Sequence, residues 1–177
     1  MKIIGLTGQP SSGKDTAADF FISHGFAHYS TGDLLREEMR KAGIPLDRPH
    51  MSAFAKEMKQ KHGMGYLAEL AADRITGDTV VSGIRAALEV GILRERFGKD
   101  FTLLVIDAPI ETRYERARKR GRPGDDATFE QFKAIEDRER SDPSGAQEVD
   151  KVISLGDHII DNSGTMDELK SQLGGFL

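Results

Sequence analysis

The stretch Gly5-Leu6-Thr7-Gly8-Gln9-Pro10-Ser11-Ser12-Gly13-Lys14-Asp15-Thr16 joins an apolar run to a segment of helical periodicity. Ahead of it, Ile3, Ile4 and Leu6 form the kind of short apolar run that makes a buried parallel strand. Behind it, Ala17, Phe20 and Phe21 fall at i, i+3 and i+4, the start of an amphipathic helix. The glycines therefore lie in a strand-to-helix turn. Gly8 and Gly13 at this spacing, followed by Lys14, let backbone N–H groups and a helix N-terminus converge on phosphate oxygens. The residues expected to bind a nucleotide are Gly8, Ser11, Ser12, Gly13, Lys14, Asp15 and Thr16, with Lys14 also catalytic. The pattern G-x-x-x-x-G-K ordinarily continues with Ser or Thr, whose hydroxyl meets magnesium. Here that place holds Asp15, with Thr16 next, and these two are the expected metal contacts. The other reading is a glycine-rich turn closed by polar residues. The apolar strand, both glycines, the lysine and the helix together favour phosphate.

A chain of 177 residues fits one domain, with room for a mobile insert. Its net charge, 25 minus 29 or −4, gives no global sign of nucleic-acid binding, and none is expected. With no cysteine, disulfides, a thiolate nucleophile and cysteine-ligated metal sites are excluded. No apolar run approaches the roughly 20 residues of a membrane span. The N-terminus leads directly into the first strand, without the layout of a signal peptide. The expectation is a cytoplasmic protein with no membrane partner. The five histidines show no metal-ligand spacing.

Downstream, residues 26–30 read as a second strand and residues 31–39 as a helix with Thr31 as its N-cap. Residues 52–61 and 66–74 read as two further helices. Residues 79–85 form a third strand and its exit. Since parallel α/β sheets bind ligands at the carboxyl ends of strands, Ser82 and Arg85 are expected to face the loop's crevice. Residues 101–107 make a fourth strand, and Asp107 at its end reads as the cap of the next helix or as an acidic group in the crevice. From Arg113 to Arg122 seven residues of ten are charged, six of them basic, and Gly121, Pro123 and Gly124 interrupt the run. Such a run is either a solvated helix face or a lid whose arginines neutralise a phosphoryl group in flight. The lid reading names Arg118 and Arg122, with Arg138 on the helix that follows. Residues 158–161 form a fifth strand, and Thr165 with Glu168 makes a capping box for a last helix. Met166, Leu169, Leu173 and Phe176 fall on one face of it.

The segment Ser30-Thr31-Gly32-Asp33-Leu34-Leu35-Arg36 resembles the acceptor segment of adenylate kinases and related nucleoside monophosphate kinases, a branch of the P-loop NTPase superfamily. The resemblance implies that Thr31 lies near the acceptor base and that Arg36 and Arg85 hold its phosphate. It puts Ser82 where an aspartate ordinarily positions magnesium. Arg120-Gly121-Arg122-Pro123-Gly124-Asp125-Asp126 and the Gly-Ile-Arg exit are similar to an archaeal adenylate-kinase-related group. The Gly-Lys-Asp-Thr form of the loop resembles phage-type deoxynucleoside monophosphate kinases. The implied fold is a single α/β domain of the P-loop NTPase type, a five-stranded parallel sheet with helices on both faces. Its core would span 1–40, 77–117 and 128–177, with an acceptor-binding insert at 41–76 and a short lid at 118–127. The implied activity is transfer of the γ-phosphoryl of ATP, with Mg2+, to a nucleoside or deoxynucleoside monophosphate or another small nucleotide-like acceptor. Two other readings stay open: a kinase for dephospho-coenzyme A, and a slow ATPase acting as a nucleotide-dependent binding module.

Overall fold

The first strand, β1 (Ile3–Thr7), is buried at all five positions, so both of its faces must be covered. In the computed structural model, which describes residues 1–121, 127–140 and 148–177, helices cover both. After β1 come α1 (Lys14–Ser23), β2 (Ala27–Ser30), α2 (Thr31–Lys41), α3 (Arg48–His62) and α4 (Tyr66–Arg74). The chain returns through β3 (Thr79–Ser82), α5 (Ala87–Phe97), β4 (Phe101–Asp107) and α6 (Ile110–Arg120). It closes with α7 (Phe129–Arg140), α8 (Val149–Ser154), β5 (His158–Asp161) and α9 (Met166–Gly174).

The five strands form one parallel sheet in the order β2-β3-β1-β4-β5. Leu6 pairs with Ser82 on one side and Leu104 on the other, so β1 and β3 end within a residue of each other and β4 runs on to Asp107. The order reverses beside β1, which opens the crevice where such sheets take ligands.

Strand alternation sorts the core. Ile4, Leu6, Val80, Leu104 and Ile106 face Ala17 and Phe21 of α1 and Leu169 and Leu173 of α9. Ile3, Val81, Phe101 and Leu103 face Ala68, Ala71 and Ala72 of α4, Val90 and Leu93 of α5, and Val152 of α8. A third, smaller core joins Leu35 and Met39 to Phe54 and Met58, with Ile44, Met51, Tyr66 and Leu67 at its margin. The segment 41–76 is thus divided: α3 belongs to the small core, while α4 fastens it to the main one.

Several helix ends differ from the sequence reading. Ser30, not Thr31, caps α2, its hydroxyl accepting from the Asp33 N–H at 3.4 Å. α3 begins before residue 52, because Asp47 accepts from the His50 N–H at 3.0 Å and Pro49 suits the first turn. Asp107 does not cap α6, whose N-cap is Pro109. Asp107 instead ends β4. On α9 the capping box of Thr165 and Glu168 is present; Leu169 and Leu173 are buried, and Met166 is half exposed. The β5 edge is closed by Gln172, which accepts from the Asp161 N–H at 3.1 Å and donates to its carbonyl at 2.8 Å.

Candidate nucleotide-phosphate site

Between β1 and α1 the backbone turns through three residues of positive φ: Gly8 at 138°, Ser11 at 62° and Gly13 at 106°. Gly8 and Gly13 are required twice, by conformation and by space. A Cβ on Gly8 would collide with the Ile106 carbonyl, and one on Gly13 with the Asn162 amide. Ser11 has no such exemption, and holding a side chain there costs of order 1 kcal/mol or more. α1 begins at Gly13 with no side-chain cap. The N–H groups of its first turn are therefore available to an anion, and the helix dipole adds to their pull. The hydroxyls of Ser11 and Ser12 are buried without a hydrogen-bond partner. Buried orphans of this kind are costly, and phosphate oxygens are acceptors that would satisfy them.

Lys14 folds back over the loop, donating to the carbonyls of Gly8 at 2.8 Å and Gln9 at 2.7 Å. Burial, and then the positive charges of Arg85, Arg113 and Arg120, push its pKa down to about 8, against the opposing pull of Asp15. The loop thus sits in a field that favours a polyanion.

Four side chains from distant parts of the chain hold the loop. Gln9 donates to Asp150 of α8 at 2.8 Å. Arg113 donates to the Pro10 carbonyl at 3.4 Å and, through Nε, to the Ala108 carbonyl at 2.9 Å. The same guanidinium meets Glu136 of α7 twice, at 2.7 and 2.9 Å, both side chains 5% exposed. Asn162 donates to the Ser12 carbonyl at 2.7 Å. Arg116 donates to the Asn162 carbonyl at 2.8 Å and reaches the Ser12 carbonyl at 3.5 Å.

The acceptor-side residues are placed as follows. Thr31 is buried and donates to the Gly83 carbonyl at 2.8 Å, tying the start of α2 to the exit of β3. Arg36 pairs with Asp33 at 2.7 Å. Arg85 is exposed beside Lys14, its N–H held by the Glu89 carboxylate at 2.8 Å and its carbonyl by the Glu148 N–H at 2.9 Å. Glu89 is buried at the head of α5, and that burial raises its pKa although two backbone N–H groups oppose the shift. Ser82 is buried, and its hydroxyl lies 2.9 Å from His28 Nε2.

The run of arginines divides by direction. Arg113 and Arg116 meet the loop, and the charge of Arg120 bears on Lys14. Arg118 is exposed and lies 5.9 Å from the Tyr114 ring centroid. Arg122 and the side chain of Arg138 lie outside the described residues. Among the described residues no group of three His, Cys, Asp or Glu side chains is arranged to hold a metal. Sequence reasoning missed Gln9, Arg113, Glu136 and Asn162 as parts of the site. Only Arg113 and Arg116 carried a signal, their i, i+3 spacing on one face of α6.

The chain matches the AAA domain family over residues 7–133. It is 33% identical to a UPF0200 protein of Hyperthermus butylicus over 96% of its own length and 90% of the relative's. The chain belongs to the UPF0200 family. A UPF0200/UPF0201 protein of Archaeoglobus fulgidus is 32% identical over the whole chain, which spans about half, 55%, of that longer relative. The UPF0200 fold is that of P-loop kinases. Shikimate kinase of Aquifex aeolicus superposes with a TM-score of 0.58 at 17% identity, covering 97% of this chain and 92% of that one. A gluconokinase of Sinorhizobium meliloti gives 0.56 at 17%, covering 98% and 92%. No helix among the described residues of this UPF0200 protein is long and apolar enough to cross a membrane.

Proposed function

We propose that this chain is an ATP-dependent phosphotransferase that moves the γ-phosphoryl of ATP to a nucleoside monophosphate or a closely similar acceptor. The observation that carries the reading is the loop itself. Its helix is uncapped, its two serine hydroxyls are orphaned, and Lys14 and Arg85 bring positive charge to one side. An acceptor phosphate is already a competent nucleophile, so the chemistry asks for alignment and charge neutralisation rather than a general base. In this reading Lys14 and the first-turn amides of α1 hold the β- and γ-phosphates. Arg36 and Arg85 hold the acceptor, and Arg118 and Arg122 neutralise the moving phosphoryl. Arg138 is proposed to assist them from α7.

The donor set fits magnesium, since Asp15 and Thr16 supply hard oxygen ligands in the first turn of α1. Held there by Asp15 and Thr16, the ion would neutralise charge on the phosphates.

The test is ADP release from Mg·ATP with ribo- and deoxynucleoside monophosphates, dephospho-coenzyme A, shikimate and gluconate added singly. Strong acceleration by one monophosphate is expected. Acceleration by a hydroxylated acid alone would overturn the acceptor class. A second reading, a slow ATPase serving as a binding module, is favoured by Ser82, whose hydroxyl stands at the β3 exit in contact with His28. That reading expects tight ATP binding with no acceptor effect.

A further inference from the structure

We infer that Asn162 is a positioning residue for the phosphate loop, fixing the Ser12–Gly13 peptide so that the Gly13 N–H faces the anion. The inference rests on the reading of the loop as a phosphate site. Asn162 follows β5 immediately and is 6% exposed. Its side chain donates to the Ser12 carbonyl at 2.7 Å, across 150 residues of chain. A trans peptide carries its C=O and N–H on opposite sides. A donor that holds the Ser12 carbonyl from the β5 side therefore turns the Gly13 N–H to the other side, into the loop.

The surroundings are built for this one contact. Gly13 has no Cβ, and the space a Cβ would take is filled by the Asn162 amide nitrogen. The backbone of Asn162 is fixed independently of its side chain: its N–H donates to the Asp107 carbonyl at 2.8 Å, and its carbonyl accepts from Arg116 at 2.8 Å. Arg116 also reaches the Ser12 carbonyl, at the longer distance of 3.5 Å. A substitution at 162 thus removes the donor while leaving the strand end in place.

Two variants test the inference. Asn162→Asp keeps the shape but cannot donate to the Ser12 carbonyl. Its carboxylate would instead accept from the Gly13 N–H and so select the reversed peptide. Asn162→Ala removes the contact without a replacement charge. In the nucleotide-free protein, the Gly13 amide order parameter is expected to fall in Asn162→Ala, and the amide resonance to move in Asn162→Asp, while amides of α9 stay unchanged. A Gly13 amide unaltered in both folded variants overturns the inference. With ADP, wild-type protein is expected to shift the Gly13 proton downfield, and both variants to bind roughly tenfold more weakly or worse. Equal ADP affinity in all three also overturns it. Absence of ADP binding by the wild-type protein would instead overturn the phosphate-site reading, leaving the nucleotide-free measurement to decide the role of Asn162.

Discussion

The phosphate loop and the acceptor side sit at the same end of one sheet and are held by contacts of different reach. Around residues 8–13 the supporting partners are Pro10 with Arg113, Gln9 with Asp150 and Ser12 with Asn162, separated by 103, 141 and 150 positions. Around α2 and α3 many of the pairs are local: Arg36 with Asp33, Lys41 with Glu37 and Glu38, and His50 with Asp47. Longer contacts there are Thr31 with the Gly83 carbonyl and Arg74 with Glu37, and Arg74 pulls the Glu37 pKa down to about 2. Local pairs form and break without disturbing the fold, whereas a long-range contact exists only when the fold is complete. The small core beneath α2 and α3 includes Met39, Met51 and Met58, side chains that repack readily. In the proposed reading, the donor side is preorganised and the acceptor side can adjust.

The sharpest way to break this contrast is at Lys14. If the loop binds the transferred phosphates, Lys14→Ala lowers kcat about 100-fold or more while the far-UV spectrum and unfolding midpoint stay near wild type. Near-normal turnover in the folded variant would remove the loop from the reaction.

The second concerns the buried pair. Glu136→Ala leaves the buried Arg113 charge without its counter-charge, beside the carbonyls of Pro10 and Ala108, at a cost of about 3–5 kcal/mol in denaturant unfolding. Loss of the exposed Arg36–Asp33 pair through Asp33→Ala should hardly move the midpoint. Similar losses from both would erase the distinction between the two sides.

A core substitution gives a third, smaller effect. Met58→Ala should cost about 2 kcal/mol, near the low end for a buried methionine, because α3 rests only on the small core. It should raise the KM for the acceptor while leaving ADP affinity unchanged. A matching loss of ADP affinity would show that the sides are coupled.

The finest test is the pH dependence of Lys14. Its pKa is near 8 in the folded chain and 10.5 when unfolded, so between those values the unfolded state binds more protons and stability rises with pH. Below pH 8 the cost of keeping the buried lysine charged is fully present. Lys14→Met should therefore raise the Tm at pH 7, and the gain should shrink as the pH passes from 8 toward 10.5. ADP, by favouring the charged amine, should draw in protons near pH 8 to 9, measurable by titration calorimetry in buffers of different ionisation enthalpy.

The amino-acid order alone determined the strand–loop–helix unit around Gly8, Gly13 and Lys14, the five parallel strands and the capping box on α9. Each rests on spacings of a few residues, where backbone geometry dictates which side chains share a face. The caps of α2 and α6 were misread because Ser30 and Thr31 compete for one position and Pro109 outranks Asp107 as a helix start. Tertiary structure alone decided that Asn162 holds Ser12, that Arg113 joins Glu136 to the loop, and that Arg118 lies beside Tyr114 while Arg116 meets the loop. Those partners meet because β4 lies between β1 and β5 and α6 follows β4 back across the loop. Strand order is set by the total burial of both sheet faces, a sum over the whole chain that no short stretch contains.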